Sequence, residues 1–155
     1  MTEAFSFCSP AKIHSGLKAL EHLPFELDAL NAGKPLFLMD RESSRAGLDR
    51  IVQGAFGDSG LVLGFFPDVP AAPELSLIRD LAGLSRERGF DALVAVGSGA
   101  VMDTAKVLNI AVSGHPGDLE AFAGVDRVPG RLRPFAAVPG LGGTGYEVSR
   151  RAVLG

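Results

Sequence analysis

Short, unbroken apolar runs alternate along the chain with longer stretches in which apolar residues recur every three or four positions. Pro35-Leu36-Phe37-Leu38-Met39 stops at Asp40, and Leu61-Val62-Leu63-Gly64-Phe65-Phe66 is closed by Pro67. Ala92-Leu93-Val94-Ala95-Val96 and Phe135-Ala136-Ala137-Val138 are the third and fourth runs. Segments apolar at every position predict strands buried on both faces, as in a parallel sheet covered by helices on each side. The periodic stretches predict helices over 16–22 and 25–30, on either side of Pro24, and another over 41–56 with Ile51, Val52 and Ala55 inward. From Pro73 onward Leu77, Leu81 and Leu84 form one stripe, Arg86 and Arg88 fall near its end, and Gly89 closes it. Val101, Ala105, Leu108 and Val112 mark a last stripe that ends at Ser113-Gly114, before a loop-rich region with a short helix around 119–122. The alternation implies one α/β domain spanning residues 1–155, a parallel sheet flanked by helices.

Composition narrows the classes of function. The chain is 46% apolar and 21% charged, as expected of a packed globular domain. A net charge of −3 and the lack of any Lys/Arg cluster argue against nucleic acid as a partner. No apolar run is long enough to span a bilayer, and Met1-Thr2-Glu3-Ala4 lacks the basic start and apolar core of a signal peptide. The single Cys8 cannot form an internal disulfide, which fits a reducing cytoplasm. Cys8 reads as a small buried hydrophobe.

Candidate chemistry starts where the third run ends. Ala92–Val96 leads directly into Gly97-Ser98-Gly99, and a helix follows at once. That geometry turns free backbone N–H groups and the positive end of a helix toward an anion, and glycine lets a phosphate approach the backbone closely. Two glycines in a βα turn equally suit a tight turn without a ligand. Asp103 and Lys106, three positions apart, share a helix face near the loop; a solvated ion pair would place them there as well.

Residues Gly97 to Lys106 resemble the G-G-G-S-x-x-D-x-A-K signature of the iron-containing, or group III, alcohol dehydrogenases. Ser98 stands where that family has its second glycine, and Ala100 where it has serine. The resemblance implies a Rossmann-like, dehydroquinate synthase-like N-terminal domain that binds a nicotinamide dinucleotide. It implies an oxidoreductase transferring a hydride between a small alcohol or aldehyde and NAD. Gly97, Ser98, Gly99, Asp103 and Lys106 are its candidate cofactor residues here. The two departures add a Cβ to the loop and remove a hydroxyl.

Downstream, Gly140 to Gly145 fits G-x-G-x-x-G, but only ten residues follow, too few for the βαβ unit and distant acid of a standard fingerprint. Pro139 to Glu147 instead resembles the family's P-T-T-x-G-T-G-S-E segment, matching at Pro139, Gly143, Thr144, Gly145 and Glu147. Gly140 and Leu141 replace two threonines and Tyr146 a serine, so Thr144 is the hydroxyl retained toward the cofactor. Glu147 also reads as a helix-start carboxylate.

Asp40 ends a strand at the sheet edge where ligands of α/β folds bind. A carboxylate there accepts hydrogen bonds from a ribose diol and repels a 2′-phosphate, which favours NAD; Arg41 beside it attracts phosphate and keeps NADP open, and a polar residue simply ending a strand would stand here as well. The family resemblance places an Asp here too. Val69 to Glu74 occupies the place of the family's P-N-P-T segment, with Ala72 where asparagine would be, and no site is carried over to it. Phe5-Ser6-Phe7 and Ile13-His14-Ser15-Gly16 resemble the family's opening strands.

The family's iron or other divalent metal is held by an Asp and three His of a helical C-terminal domain. Those positions are expected beyond Gly155, which predicts that this chain alone is inactive or nearly so. His14, His22 and His115 show no metal-ligand spacing. Other readings stay open: a diverged nucleotide-binding module without catalysis, or a relative of glycerol dehydrogenase or dehydroquinate synthase. Met102 to Lys106 fits the alcohol dehydrogenase branch better. Substrate identity and homo-oligomer formation are left open.

Overall fold

A computed structural model describes residues 11–114, 119–124, 127–128, 130–140, 145–149 and 151–154. All four predicted strands are present: β1 (Pro35–Asp40), β2 (Gly64–Val69), β3 (Ala92–Gly97) and β4 (Phe135–Pro139). They form one sheet in the order β2-β1-β3-β4, and every neighbouring pair is parallel. Helix α1 (Leu23–Ala29) precedes β1, and α2 (Arg41–Arg45), α3 (Leu48–Ala55), α4 (Leu75–Arg88) and α5 (Gly99–Val112) lie between the strands.

The unbroken apolar runs follow from burial on both faces. Leu36 and Leu38 of β1, with Leu93 and Ala95 of β3, join Ile78, Leu81, Met102, Ala105 and Leu108 of α4 and α5. The alternate residues Phe37, Met39, Val94 and Val96 face Leu27, Val52 and Phe56 on the other side. Phe37 is fully buried, edge-on to Phe56 and stacked on Phe65. Truncating such an aromatic removes about 3–5 kcal/mol of stability.

Several expectations are corrected. Pro67 does not close the second strand, which runs from Gly64 to Val69. β2 is an edge strand, where a residue without an N–H is tolerated, and the ladder slips there: Leu38 pairs with Phe66 but Asp40 with Val69. The 41–56 helix is two helices, because Gly47 takes a left-handed conformation (φ 84°) between them. Ile51 is 57% exposed, whereas Val52 is buried. In α4 the inward face is Ile78, Leu81, Ala82 and Ser85, with Leu84 turned outward. Gly89 ends that helix as expected, and Val101, Ala105, Leu108 and Val112 are all buried. A short 3₁₀ turn covers Leu119–Phe122. Residues 13–16 form no strand, and Ile13 lies exposed; Phe5, Ser6, Phe7 and Cys8 lie outside the described residues. Among the described residues no helix is long and apolar enough to cross a membrane.

Candidate functional site

The sheet order creates the site. From β1 the chain moves outward to β2, then crosses back to β3 on the other side of β1. The connections at the C-terminal ends of β1 and β3 therefore diverge, which opens a crevice between them. Asp40 ends β1 and Ser98 follows β3, so both sit at this switch point.

Asp40 is the N-cap of α2. Its Oδ1 accepts the Ser43 backbone N–H at 2.7 Å, and its Oδ2 accepts the Ser98 backbone N–H at 3.1 Å. Partial burial pushes the carboxyl up, but the Ser43 and Ser98 donors outweigh it and hold Asp40 below the usual aspartate range. The carboxylate is therefore charged at neutral pH while keeping lone pairs for further donors.

Gly97 has φ +129°, and a Cβ there would lie 2.6 Å from Asp40 Oδ2 and 2.7 Å from Ser43 Oγ. Ser98 is exposed and caps α5 without a side-chain bond to the helix. The Met102 N–H closes the first helical turn onto the Ser98 carbonyl at 3.1 Å. Gly99, Ala100 and Val101 thus start the helix with N–H groups that have no partner within it. Together with the positive end of a 14-residue helix, they have the geometry that suits an anion. Gly140 closes the far side, donating its N–H to the Gly97 carbonyl at 3.0 Å.

Asp103 and Lys106 share a face of α5, as predicted, and that face meets Tyr146, Arg151 and Val153. Lys106 Nζ donates to the carbonyls of Tyr146 (2.7 Å) and Arg151 (2.8 Å). Asp103 Oδ2 accepts the Val153 N–H at 3.0 Å, while its Oδ1 lies 3.9 Å from Lys106 Nζ. Burial raises the Asp103 carboxyl and lowers the Lys106 amine, against the attraction between them. The Tyr146 ring lies beside Gly99, so close that a Cβ on Gly99 would be 3.1 Å from it. Tyr146 is the only tyrosine of a chain without tryptophan. Lys106→Met is expected to free this segment, seen as lower tyrosine fluorescence anisotropy and faster amide exchange at Val153; unchanged values would remove Lys106 as its anchor.

The rim beside Asp40 is a shallow cleft of about 330 Å³ lined by Asp40, Arg41, Glu42, Asp68, Pro70 and Ser98, among others. Arg41 Nε and Nη2 donate to the two Asp68 oxygens at 2.9 and 2.8 Å. Ser43, Asp68 and Tyr146 are additions to the sequence-derived set. An Asp just before a helix signalled the Ser43 contact, as an N-cap bonds the N3 N–H; nothing in the spacing signalled Asp68. Glu147 sits in a turn rather than at a helix start. Thr144 and His115 lie outside the described residues. His14 stacks on His22 at 4.9 Å, and its Nε2 is 3.2 Å from Glu26 Oε1. Among the described residues no three His, Cys, Asp or Glu side chains come together as a metal site.

A parallel sheet covered by helices on both faces, with a helix N-terminus and a carboxylate meeting at its switch point, defines a Rossmann-like domain. The chain belongs to the iron-containing alcohol dehydrogenase family, whose model matches residues 10–155. It is 33% identical to 4-hydroxybutyrate dehydrogenase of Cupriavidus necator over 146 residues, covering 92% of this chain and 37% of that protein. It is 31% identical to choline dehydrogenase of Bacillus subtilis (strain 168) over 157 residues, covering 99% of this chain and 39% of that one. The crystal structure of a 1,3-propanediol oxidoreductase superposes with a TM-score of 0.90 at 28% identity, covering 98% of this chain and 40% of the other. The chain thus spans about two fifths of the length of these relatives.

Proposed function

We propose that this chain is the cofactor-binding part of a metal-dependent alcohol dehydrogenase, holding NAD while a hydride passes between the nicotinamide and a small alcohol or aldehyde. The observation that carries the reading is the cradle at the switch point: open N–H groups at the start of α5, beside a glycine whose Cβ would strike Asp40. Gly97, Ser98 and Gly99 would take the pyrophosphate, with Thr144 contributing from the second loop. Asp40 would accept the adenosine ribose hydroxyls, and its negative charge disfavours a 2′-phosphate. Asp103 and Lys106 would complete the site by fixing the segment that carries Tyr146.

The nicotinamide supplies the hydride acceptor; this chain's part is to bind and orient it. The family's metal would polarise the alcohol, and this reading gives the described residues no part in holding it: no three His, Cys, Asp or Glu side chains come together among them. The three relatives are named for different hydroxyl compounds, 4-hydroxybutyrate, choline and 1,3-propanediol, so the alcohol is left as a class. Calorimetric titration with NAD and ADP-ribose should give saturable one-to-one binding; no heat with either would contradict the reading. These 155 residues with NAD, alcohol and added divalent metal should show no appreciable NADH formation. Robust turnover would refute the division of labour.

A further inference from the structure

The cleft beside Asp40 holds an ion pair that the cofactor reading leaves without a role. Arg41 and Asp68 meet through two parallel hydrogen bonds, although their side chains are 63% and 54% exposed. Most exposed pairs contribute little to stability, and a bidentate Arg–carboxylate geometry is the exception that holds its partners in place. Asp68 is delivered to this position by a structural irregularity. Between Leu38/Phe66 and Asp40/Val69 the β2 side carries one residue more than β1, and such a bulge re-aims a side chain. The result sets Asp68 opposite the first residue of α2, at the rim of the cleft that Asp40 also lines.

The charge balance of that rim is specific. Its described lining carries three carboxylates, Asp40, Glu42 and Asp68, against one cation, Arg41. A guanidinium is the preferred partner for a phosphate monoester, because its planar fork matches two oxygens at once. Here the Nε–Nη2 edge of that fork is spent on Asp68.

The geometry points to Asp68 as a specificity-determining residue for the nucleotide: by holding Arg41 it withholds the guanidinium that would otherwise receive a 2′-phosphate. Discrimination against NADP then has two parts. Asp40 repels the extra phosphate, and Asp68 keeps Arg41 from attracting it. The inference rests on the cleft being the adenosine end of the nucleotide site.

The test is calorimetric titration of the wild type, Asp68→Asn, Asp68→Ala and the double variant Asp68→Asn/Arg41→Ala with NAD and with NADP. Both single variants should shift the ratio of dissociation constants toward NADP by about tenfold, the scale of one hydrogen bond to a charged group. The double variant should lose that shift. An unchanged ratio in both single variants overturns the role of Asp68, and so does a shift that survives removal of Arg41. A wild type that binds neither nucleotide overturns the reading of the cleft itself, so the two failures are distinguishable.

Discussion

Gly97→Ala is expected to abolish nucleotide binding and to destabilise the fold by about 2–4 kcal/mol, more than other single changes in the loop. Two effects add. The backbone there has φ +129°, a conformation that L side chains rarely adopt. The new methyl would also lie 2.6 Å from Asp40 Oδ2 and 2.7 Å from Ser43 Oγ. Asp40 cannot yield cheaply, because its carboxylate is held by the Ser43 and Ser98 N–H groups. Relief must come from rotating Asp40 out of its cap or from moving the start of α5. Either movement dismantles the cradle. Urea denaturation gives the stability change, and titration with ADP-ribose gives the binding. A variant of wild-type stability that still binds would show that the crowding at Gly97 is not what shapes the site.

Asp40→Ala should weaken NAD binding by about ten- to a hundredfold, on the scale of one or two hydrogen bonds to a charged group. NADP should be affected less, so the preference between the two narrows or inverts. The same change removes the N-cap of α2, worth about 0.5–2 kcal/mol. Stability and affinity must therefore be measured separately, by denaturation and by calorimetry at a temperature where the variant is folded. Asp40→Asn separates the two effects, because its amide oxygen can still cap the helix without the charge. The pH dependence has a definite sign. Burial raises the Asp40 carboxyl, and the Ser43 and Ser98 donors more than reverse this, so the folded value lies below the ordinary 3.8. Its stabilising contribution is then present above the unfolded value and is lost as pH falls through the folded one. Loss of NAD affinity on raising the pH from 5 to 8 would not come from Asp40.

Much of the geometry of this candidate site was legible in the sequence, and the reason is local. Ala92 to Val96 is buried on both faces, and a strand of that kind must feed a helix through a short turn; Gly97 stands where the turn has no room for a Cβ, and Gly99 where one would crowd the Tyr146 ring. Asp40 was legible because it ends an apolar run and begins a helix. The remainder depended on partners that a linear pattern does not carry. Pro67 reads as a strand stop unless the strand is known to be at the sheet edge, and the extra residue that positions Asp68 exists only relative to β1. Lys106 was chosen for its spacing from Asp103, but its own partners are the carbonyls of Tyr146 and Arg151, which carry no side-chain signature. The stripe on α4 was read from its leucines, whereas α4 turns small Ala82 and Ser85 inward and leaves Leu84 at the surface. Hydrophobicity alone misses a face chosen for close approach.

The central claim is that the first turn of α5 is where the nucleotide's phosphates rest. Amide chemical-shift mapping of the ¹⁵N-labelled chain during titration with ADP-ribose tests it most directly. The N–H groups of Gly99, Ala100 and Val101 should show the largest saturable shifts, with Ser98 and Ser43 following through their bonds to Asp40. Saturable shifts confined to other parts of the chain, with these amides unmoved, would contradict it.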